Sequence, residues 1–337
     1  MNSISENRTC SARIPAICLI VFLAMGTIVT ASAQVTAVPP YTVSVFATSV
    51  PKVYFQPDSI TLWNDRVFIG YGNNAGTKGG GHSTIVEYAL DGTVLHKVIV
   101  KGHNDGLKVD PKTNLLWALQ NEDANPNLVI IDPRNWSSKR YAFTKPAHGG
   151  GYDDMAFIGD DVYISCSNPS NNPNTKQAIV KATLNGHRVD VTPVLLGDAN
   201  ATDITTGKPI KLNLQDPDSM MNDPEGDLVL DSQADGELIF VHHPGFADQS
   251  VFHLRLSADK KATQIDDTVL ALTSQGVILV SDRDGETVYS ITAPFFGPSE
   301  AFSAGPTFVG RLNVHTGVLT PIVTGMVSPH GMTFIAQ

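Results

Sequence analysis

Short apolar runs separated by turn residues are the feature of this sequence that most restricts its fold. Segments 66–70, 127–131, 237–241 and 276–280 are each rich in β-branched and other apolar residues. Asx-Gly turn signals lie between such runs, at Asp91-Gly92, Asn185-Gly186, Asp235-Gly236 and Asp284-Gly285. No stretch of twelve or more residues shows the i, i+3, i+4 apolar spacing of an amphipathic helix. The pattern predicts an all-β protein.

The runs recur in units that open with a polar or acidic cluster followed by a short apolar strand. The openings are Pro57-Asp58-Ser59-Ile60, His103-Asn104-Asp105-Gly106-Leu107, Tyr152-Asp153-Asp154-Met155, Asn222-Asp223-Pro224-Glu225-Gly226, Asp266-Asp267-Thr268-Val269 and Ser328-Pro329-His330-Gly331-Met332. The first of them follow one another at a little under fifty residues, close to the period of propeller blades. We expect a β-propeller of four-stranded antiparallel blades, six in number, with five or seven blades and a β-sandwich as alternatives.

The ends of the chain indicate how such a ring would close. The last opening lies near the C-terminus, so its unit lacks later strands of its own. We expect segment 41–46 to supply the outer strand and segments 308–312 and 318–323 to supply the rest. The longer gaps, between Asp154 and Asn222 and after Tyr289, are interpreted as loop insertions on one face. Because no linker composition is present, residues 34–337 are expected to form one domain.

The first 33 residues have the order of a secretory signal. Arg8 and Arg13 precede an almost wholly apolar run at 14–30, and Ala31-Ser32-Ala33 is a small-x-small cleavage site. The alternative is a single membrane anchor, since the run is near the length that spans a bilayer. We expect cleavage after residue 33 and a secreted or periplasmic product that is not attached to a membrane.

Charge and cysteine content restrict the partners and the chemistry. Removing residues 1–33 takes away Glu6, Arg8 and Arg13, so the formal net charge changes from −10 to −11. Such a surface repels phosphate backbones, which argues against nucleic acid as a partner and favours cations or neutral small-molecule or protein ligands. Cys166 is left alone in a strand-like phrase, so we expect a buried, inert thiol and no internal disulfide. We expect a monomer.

The openings with Pro-Glu-Gly, Asn-Asp-Gly or Pro-His-Gly before an apolar strand resemble a superfamily of six-bladed propellers. It includes the gluconolactonase (senescence-marker) family, the NHL-repeat proteins and the streptogramin lyases. Segments 222–231 and 328–334 resemble it most. The resemblance implies that the strand openings face a central channel. In several enzymes of the superfamily, Glu, Asn and Asp side chains of different blades hold one divalent metal there, usually calcium.

Oxygen-bearing side chains occur at five successive openings and suit calcium, which takes six to eight hard oxygen ligands. We expect the metal ligands to be Asp58, Asn104, Asp154, Asn222, Asp223 and Asp267. Two departures from the gluconolactonase pattern stand against this: Asp58 replaces its first-blade Glu, and Tyr152-Asp153-Asp154 replaces its Asn-Gly opening. The alternative is that these side chains cap strand ends and bind backbone amides of neighbouring blades.

Histidines near the openings suggest a general base. We expect His330, Glu225 and Asp105 to be catalytic, because a histidine near its ordinary pKa can take a proton in lactone hydrolysis or in a lyase step. The resemblance to streptogramin lyases implies a channel histidine acting with a glutamate, and His330 with Glu225 would be the analogue. Three functions remain open: a metal-dependent hydrolase of lactonase or esterase type, a non-catalytic binding propeller, and a lyase.

Overall fold

The computed structural model describes residues 34–337, and the predicted signal peptide lies outside them. All regular structure in this part of the chain is β, as predicted: it holds 29 strands and no helix. Accordingly, the described part of the chain contains no helix of the length and apolar character that crossing a membrane requires.

The strands are numbered in chain order. They are β1 (Thr36–Ala37), β2 (Thr42–Thr48), β3 (Pro57–Trp63), β4 (Arg66–Tyr71), β5 (His82–Ala89), β6 (Val94–Lys101), β7 (Asn104–Val109), β8 (Leu116–Gln120), β9 (Asn127–Ile131), β10 (Ser138–Phe143), β11 (Met155–Ile158), β12 (Asp161–Ser165), β13 (Gln177–Asn185), β14 (Arg188–Leu196), β15 (Asn200–Asp203), β16 (Pro209–Lys211), β17 (Pro217–Asn222), β18 (Leu228–Ser232), β19 (Glu237–His242), β20 (Ser250–Arg255), β21 (Ser257–Ala258), β22 (Lys261–Ala262), β23 (Thr268–Leu270), β24 (Gly276–Asp282), β25 (Thr287–Thr292), β26 (Ala301–Ala304), β27 (Phe308–Asn313), β28 (Val318–Thr324) and β29 (Pro329–Ala336).

Consecutive strands pair antiparallel in β3–β6, β7–β10, β11–β14 and β17–β20. Tight turns join them where glycine accepts a positive φ, as at Gly92 (84°) and Gly186 (62°). A parallel pairing of β10 with β14 joins two of these meanders into one sheet.

The second strand of a meander is buried on both faces, because its alternate side chains pack into two different cores. On β4, Val67 and Ile69 pack into a core shared with Leu279 of β24, whereas Phe68 packs into a core shared with Leu107 of β7. Because successive side chains point to opposite faces, a strand buried on both faces reads as a continuous apolar run. The runs found in the sequence are therefore middle strands with a neighbouring sheet on each side.

Six inner strands contact one another in a closed order: β3, β7, β11, β17, β23, β29 and again β3. Each begins at or just after a short segment that holds an aspartate or a histidine: Asp58, Asp105, Asp153, Asp218, Asp266 and His330. The inner strands thus surround a common axis, and the ends at which they begin form what we call the mouth of the channel.

One sheet combines strands from both ends of the described chain, and we call it the closing sheet. Its order is β2-β25-β24-β29, with the N-terminal β2 at the outer edge and the C-terminal β29 innermost. The outer position predicted for segment 41–46 is confirmed. The prediction that segments 308–312 and 318–323 complete this sheet is wrong, because β27 and β28 pair with β26 and β23 instead. The hairpin β24–β25 takes their place, although it lies in the sequence between β23 and β26.

The two long gaps also differ from the predicted loop insertions. The first contains the hairpin β15–β16, which extends a sheet by parallel pairing with the outer strand β20. The second contains β26, a regular member of its sheet. Cys166 is fully buried, as predicted, and burial raises the pKa of its thiol.

Candidate site at the channel mouth

Four inner strands carry a register shift at the point where they begin. The shift lies between Pro57 and Ile60, between Asn104 and Leu107, between Pro217 and Met220, and opposite Pro329 to Met332. Bulges of this kind re-aim a side chain and occur often beside active sites. The residue just after the start of each bulge is Asp58, Asp105, Asp218 and His330 respectively.

The remaining two inner strands, β11 and β23, are each preceded by an aspartate two positions before their first residue, just as Asp58 lies two positions before Ile60. We call the six residues at this position the channel ring: Asp58, Asp105, Asp153, Asp218, Asp266 and His330. The six residues lie close enough for the charge of one to shift the pKa of another. The charges of Asp58, Asp218 and Asp266 all act on Asp105. The four meanders, the strands β23-β26-β27-β28 and the closing sheet therefore each place one titratable side chain near the same axis.

Burial and mutual repulsion make the channel ring a strongly perturbed set of acids. Burial first, and then the neighbouring carboxylates, raise the pKa of Asp105, Asp153 and Asp218 well above 3.8. The carboxyls of Asp153 and Asp218 hydrogen-bond to each other. Burial raises the pKa of Asp266 to about 7, although the charge of His330 lowers it. Such acids need either protons or a bound cation.

A histidine and a glutamate of the second meander adjoin the channel ring. His103 Nδ1 lies 2.9 Å from Glu122 Oε2, and both side chains are buried. One ligand atom from each of His103, Asp105 and Glu122 lies within 4.8 Å of the others. Burial acts to lower the pKa of His103, but its contact with Glu122 raises it overall. These three residues form a cluster that can hold a divalent metal.

His330 is oriented by its own strand. Its Nδ1 lies 3.0 Å from the carbonyl oxygen of Ser328, so a proton on Nδ1 is donated there and Nε2 faces Asp266 at 3.5 Å. Burial acts to lower the pKa of His330, but the Asp266 charge raises it overall. Both the imidazole and the Asp266 carboxyl therefore hold a proton more tightly than they would in water.

Arg283 and Gln233 also lie at the mouth, each beside an aspartate of the channel ring. Both directly follow the second strand of their sheet, and their backbone N–H groups bond to the residue that precedes the opening. The Nε2 group of Gln233 donates to Asp266, and Arg283 Nε lies 3.8 Å from Asp58 Oδ2. The mouth thus holds one guanidinium beside the carboxylates.

Asp218, Glu122 and Arg283 were not predicted from the sequence. Asp218 had a signal, because Pro217-Asp218-Ser219 repeats Pro57-Asp58-Ser59. Glu122 and Arg283 follow second strands, outside the opening phrases, and carried no signal.

Two predicted metal ligands lie one position beyond the channel ring and bind backbone of the next sheet. Asp154 Oδ2 accepts a 3.1 Å bond from the backbone N–H of Met220, and it also lies 3.1 Å from Lys108 Nζ. Asp267 Oδ2 accepts a 2.7 Å bond from the backbone N–H of Met332. These contacts are the strand-capping alternative that the sequence left open.

The other predicted residues divide between a buried core position and an exposed turn. Asn104 is fully buried, and its Nδ2 donates to the carbonyl oxygen of Leu119 at 2.9 Å. Asn222, Asp223 and Glu225 lie at the far end of β17 and in the turn to β18. Asn222 is four residues beyond Asp218, about 13 Å along the strand at about 3.3 Å per residue. The fold therefore brings His330 and Asp105 to the mouth without Glu225.

Comparison with known proteins gives likenesses of fold at low identity. No protein-family model matches the chain, and no curated relative matches it. A streptogramin B lyase is 12% identical, with 86% of this chain and 73% of that chain covered and a TM-score of 0.43. The periplasmic gluconolactonase PpgL of Pseudomonas aeruginosa is 11% identical, with 83% and 88% covered and a TM-score of 0.47. A protein of unknown function from Bacteroides caccae is 8% identical, with 86% and 89% covered and a TM-score of 0.49. Two of these names are those of families that the strand openings resemble.

Proposed function

We propose that the chain is a secreted six-bladed propeller that binds a divalent cation in the channel ring and hydrolyses an ester or lactone there. The blade count is supported by the closed order of six inner strands, each the innermost of four antiparallel strands. Secretion is supported by the signal-like residues 1–33. The proposed reaction class is supported by the resemblance of the strand openings to those of the gluconolactonase family.

The single observation that carries this proposal is the convergence of five aspartates at one structural position of successive inner strands. A carboxylate from a different inner strand approaches the axis at each step, which gives oxygen ligands arranged around one point. His103 and Glu122 are buried beside Asp105, and one ligand atom of each of the three lies within 4.8 Å of the others. The raised pKa values of Asp105 and Glu122 fit a cation held by these carboxyls and the adjoining ring carboxylates.

Calcium is our preferred cation, because carboxylate oxygens outnumber nitrogen ligands at the mouth. A bound divalent cation supplies Lewis-acid polarisation of a carbonyl oxygen. His330 takes the proton from the attacking water on Nε2, since its Nδ1–H is held by the Ser328 carbonyl. Asp266 stabilises the imidazolium that forms, because its carboxyl lies 3.5 Å from Nε2.

The first experiment measures cation binding to the purified secreted chain. We expect calcium to raise the melting temperature and a chelator to lower it, because a ligand that binds only the native state stabilises it. Asp105→Asn should greatly reduce the calcium effect. The exposed turn variant Asp65→Asn is the matched control and should leave the effect unchanged.

The second experiment tests the reaction with a short-chain aryl ester and a six-membered lactone. His330→Gln should lower kcat about 10²-fold or more with little change in calcium affinity, since general-base catalysis contributes typically 10²–10⁴-fold. His315→Gln, in an exposed turn, is the matched control. Calcium binding without hydrolysis of either substrate would favour the non-catalytic binding propeller. The absence of any cation effect would remove the proposed site.

A further inference from the structure

The cationic residue Arg283 lies at the channel mouth, beside Asp58. It directly follows β24, and its backbone N–H donates to the Ser328 carbonyl at 2.8 Å, which fixes the start of the side chain. Its Nε is buried and has no hydrogen-bond partner among the described residues. The nearest carboxylate is Asp58, with 3.8 Å between Arg283 Nε and Asp58 Oδ2, which is too long for a hydrogen bond.

The positive charge of the guanidinium nevertheless acts on His103, Asp266 and His330. The side chain is 29% exposed, so part of it is accessible to a ligand. A guanidinium has five N–H donors in a planar fork that fits a carboxylate with two parallel bonds. A buried donor without a partner is costly, and a ligand oxygen would remove that cost.

We propose that Arg283 binds a carboxylate of the substrate, so that the site takes esters or lactones bearing an anionic group. The inference rests on the proposed function, because the ring carboxylates would repel an anion until a cation neutralises them. Cation and carboxylate therefore bind cooperatively. By linkage, the carboxylate must increase calcium affinity by the same factor by which calcium increases carboxylate affinity.

The test compares lactate with methyl lactate, a pair that differs in the charged carboxylate. Calorimetric titration of the calcium-loaded chain should show lactate binding at least about tenfold tighter than methyl lactate, as a charge-assisted bidentate pair predicts. Arg283→Met should remove that preference, and Arg283→Lys should keep only part of it because the fork is lost. Arg134→Met removes an exposed guanidinium from a β-turn and should change nothing.

A calcium titration of the same variants separates this inference from the proposed function. Arg283→Met should bind calcium at least as tightly as the natural chain, because a positive charge beside Asp58 is gone, and lactate should no longer strengthen calcium binding. If Arg283→Met retains the preference for lactate, or the natural chain shows none, the inference is overturned while calcium binding stands. If calcium does not bind, the proposed site fails. Lactate titration of the cation-free chain then decides the inference: binding that depends on Arg283 supports it, and no binding overturns it.

Discussion

The carboxylate of Asp267 accepts a 2.7 Å hydrogen bond from the backbone N–H of Met332, 65 residues later in the chain. Asp267 precedes β23, whereas Met332 lies on β29, the C-terminal inner strand. Asp154 makes the equivalent bond to Met220 of β17. Side chains that the sequence suggests as metal ligands therefore join neighbouring inner strands.

Asp267→Ala should lower the free energy of unfolding by about 2 kcal/mol, since a hydrogen bond to a charged group contributes about 1.5–3 kcal/mol. Asp267→Asn should cost less, because the amide oxygen can still accept from Met332 while the repulsion from Asp154 disappears. Denaturant unfolding of both variants, with Asp65→Ala as an exposed control, measures the difference. Equal losses in the alanine and asparagine variants would contradict this role.

Lys108 is the counter-ion of a buried carboxylate group below the channel ring. Its Nζ lies 3.1 Å from Asp154 Oδ2, and its charge also acts on Asp267. Lys108→Met should destabilise the protein by about 3 kcal/mol, because removing one partner leaves a buried charge uncompensated. Lys112→Met breaks an exposed pair with Asp160 and should cost less than about 1 kcal/mol. Thermal and urea unfolding compare the two, and similar losses would count against the counter-ion role.

Gly106 marks a place where two inner strands touch through backbone. Its N–H donates to the Asp153 carbonyl at 3.0 Å, and a Cβ at this position would meet that oxygen and the Cα of Asp154. Gly106→Ala should therefore cost at least about 2 kcal/mol. At Gly297 a Cβ makes only ordinary contacts with Glu300, so Gly297→Ala is the control. A Gly106→Ala protein as stable as the control would show that the strands can separate at no cost.

Stability in chelator should fall as pH rises from about 5 to about 8. Burial raises the pKa of Asp266 to about 7 and of Asp267 to about 6, both above the ordinary 3.8. The native state therefore holds protons that the unfolded state has lost, and their stabilisation disappears as pH rises through those values. The carboxyls with lowered pKa, such as Asp203 and Glu237, contribute fully by about pH 5 and add no slope above it.

Melting temperatures in chelator across this range measure the effect, and Asp266→Asn should reduce the slope. Calcium should raise the melting temperature more at pH 8 than at pH 5, because ionised carboxylates bind it best. A melting temperature that rises with pH in chelator would contradict the raised carboxyl pKa values.

Local patterns were enough to predict the kinds of elements present. The run Val67-Phe68-Ile69 and the turn at Asp91-Gly92 identify strand and turn without reference to other parts of the chain. The outer position of β2 also followed from the sequence, because the last unit lacks strands of its own. Convergence of acidic openings was predicted for Asp58 and Asp105 through the repeat of the units.

Assignments within an opening could not be made from the sequence. Asp153 and Asp154 are adjacent and chemically identical, yet one belongs to the channel ring and the other binds Met220. Their roles differ because successive side chains of an extended strand point in different directions. Which one faces the axis depends on register, and a bulge changes the register locally.

By itself the sequence determined the all-β composition, the repeated units and the acidic character of their openings, because these depend on local turn chemistry and strand propensity. Only the tertiary structure decided that β24–β25 enters the closing sheet, that Asp218 rather than Glu225 joins the channel ring, and that Glu122 and Arg283 lie beside it. Strand partners and the approach of distant side chains depend on packing between segments far apart in the chain, and no local pattern encodes that packing.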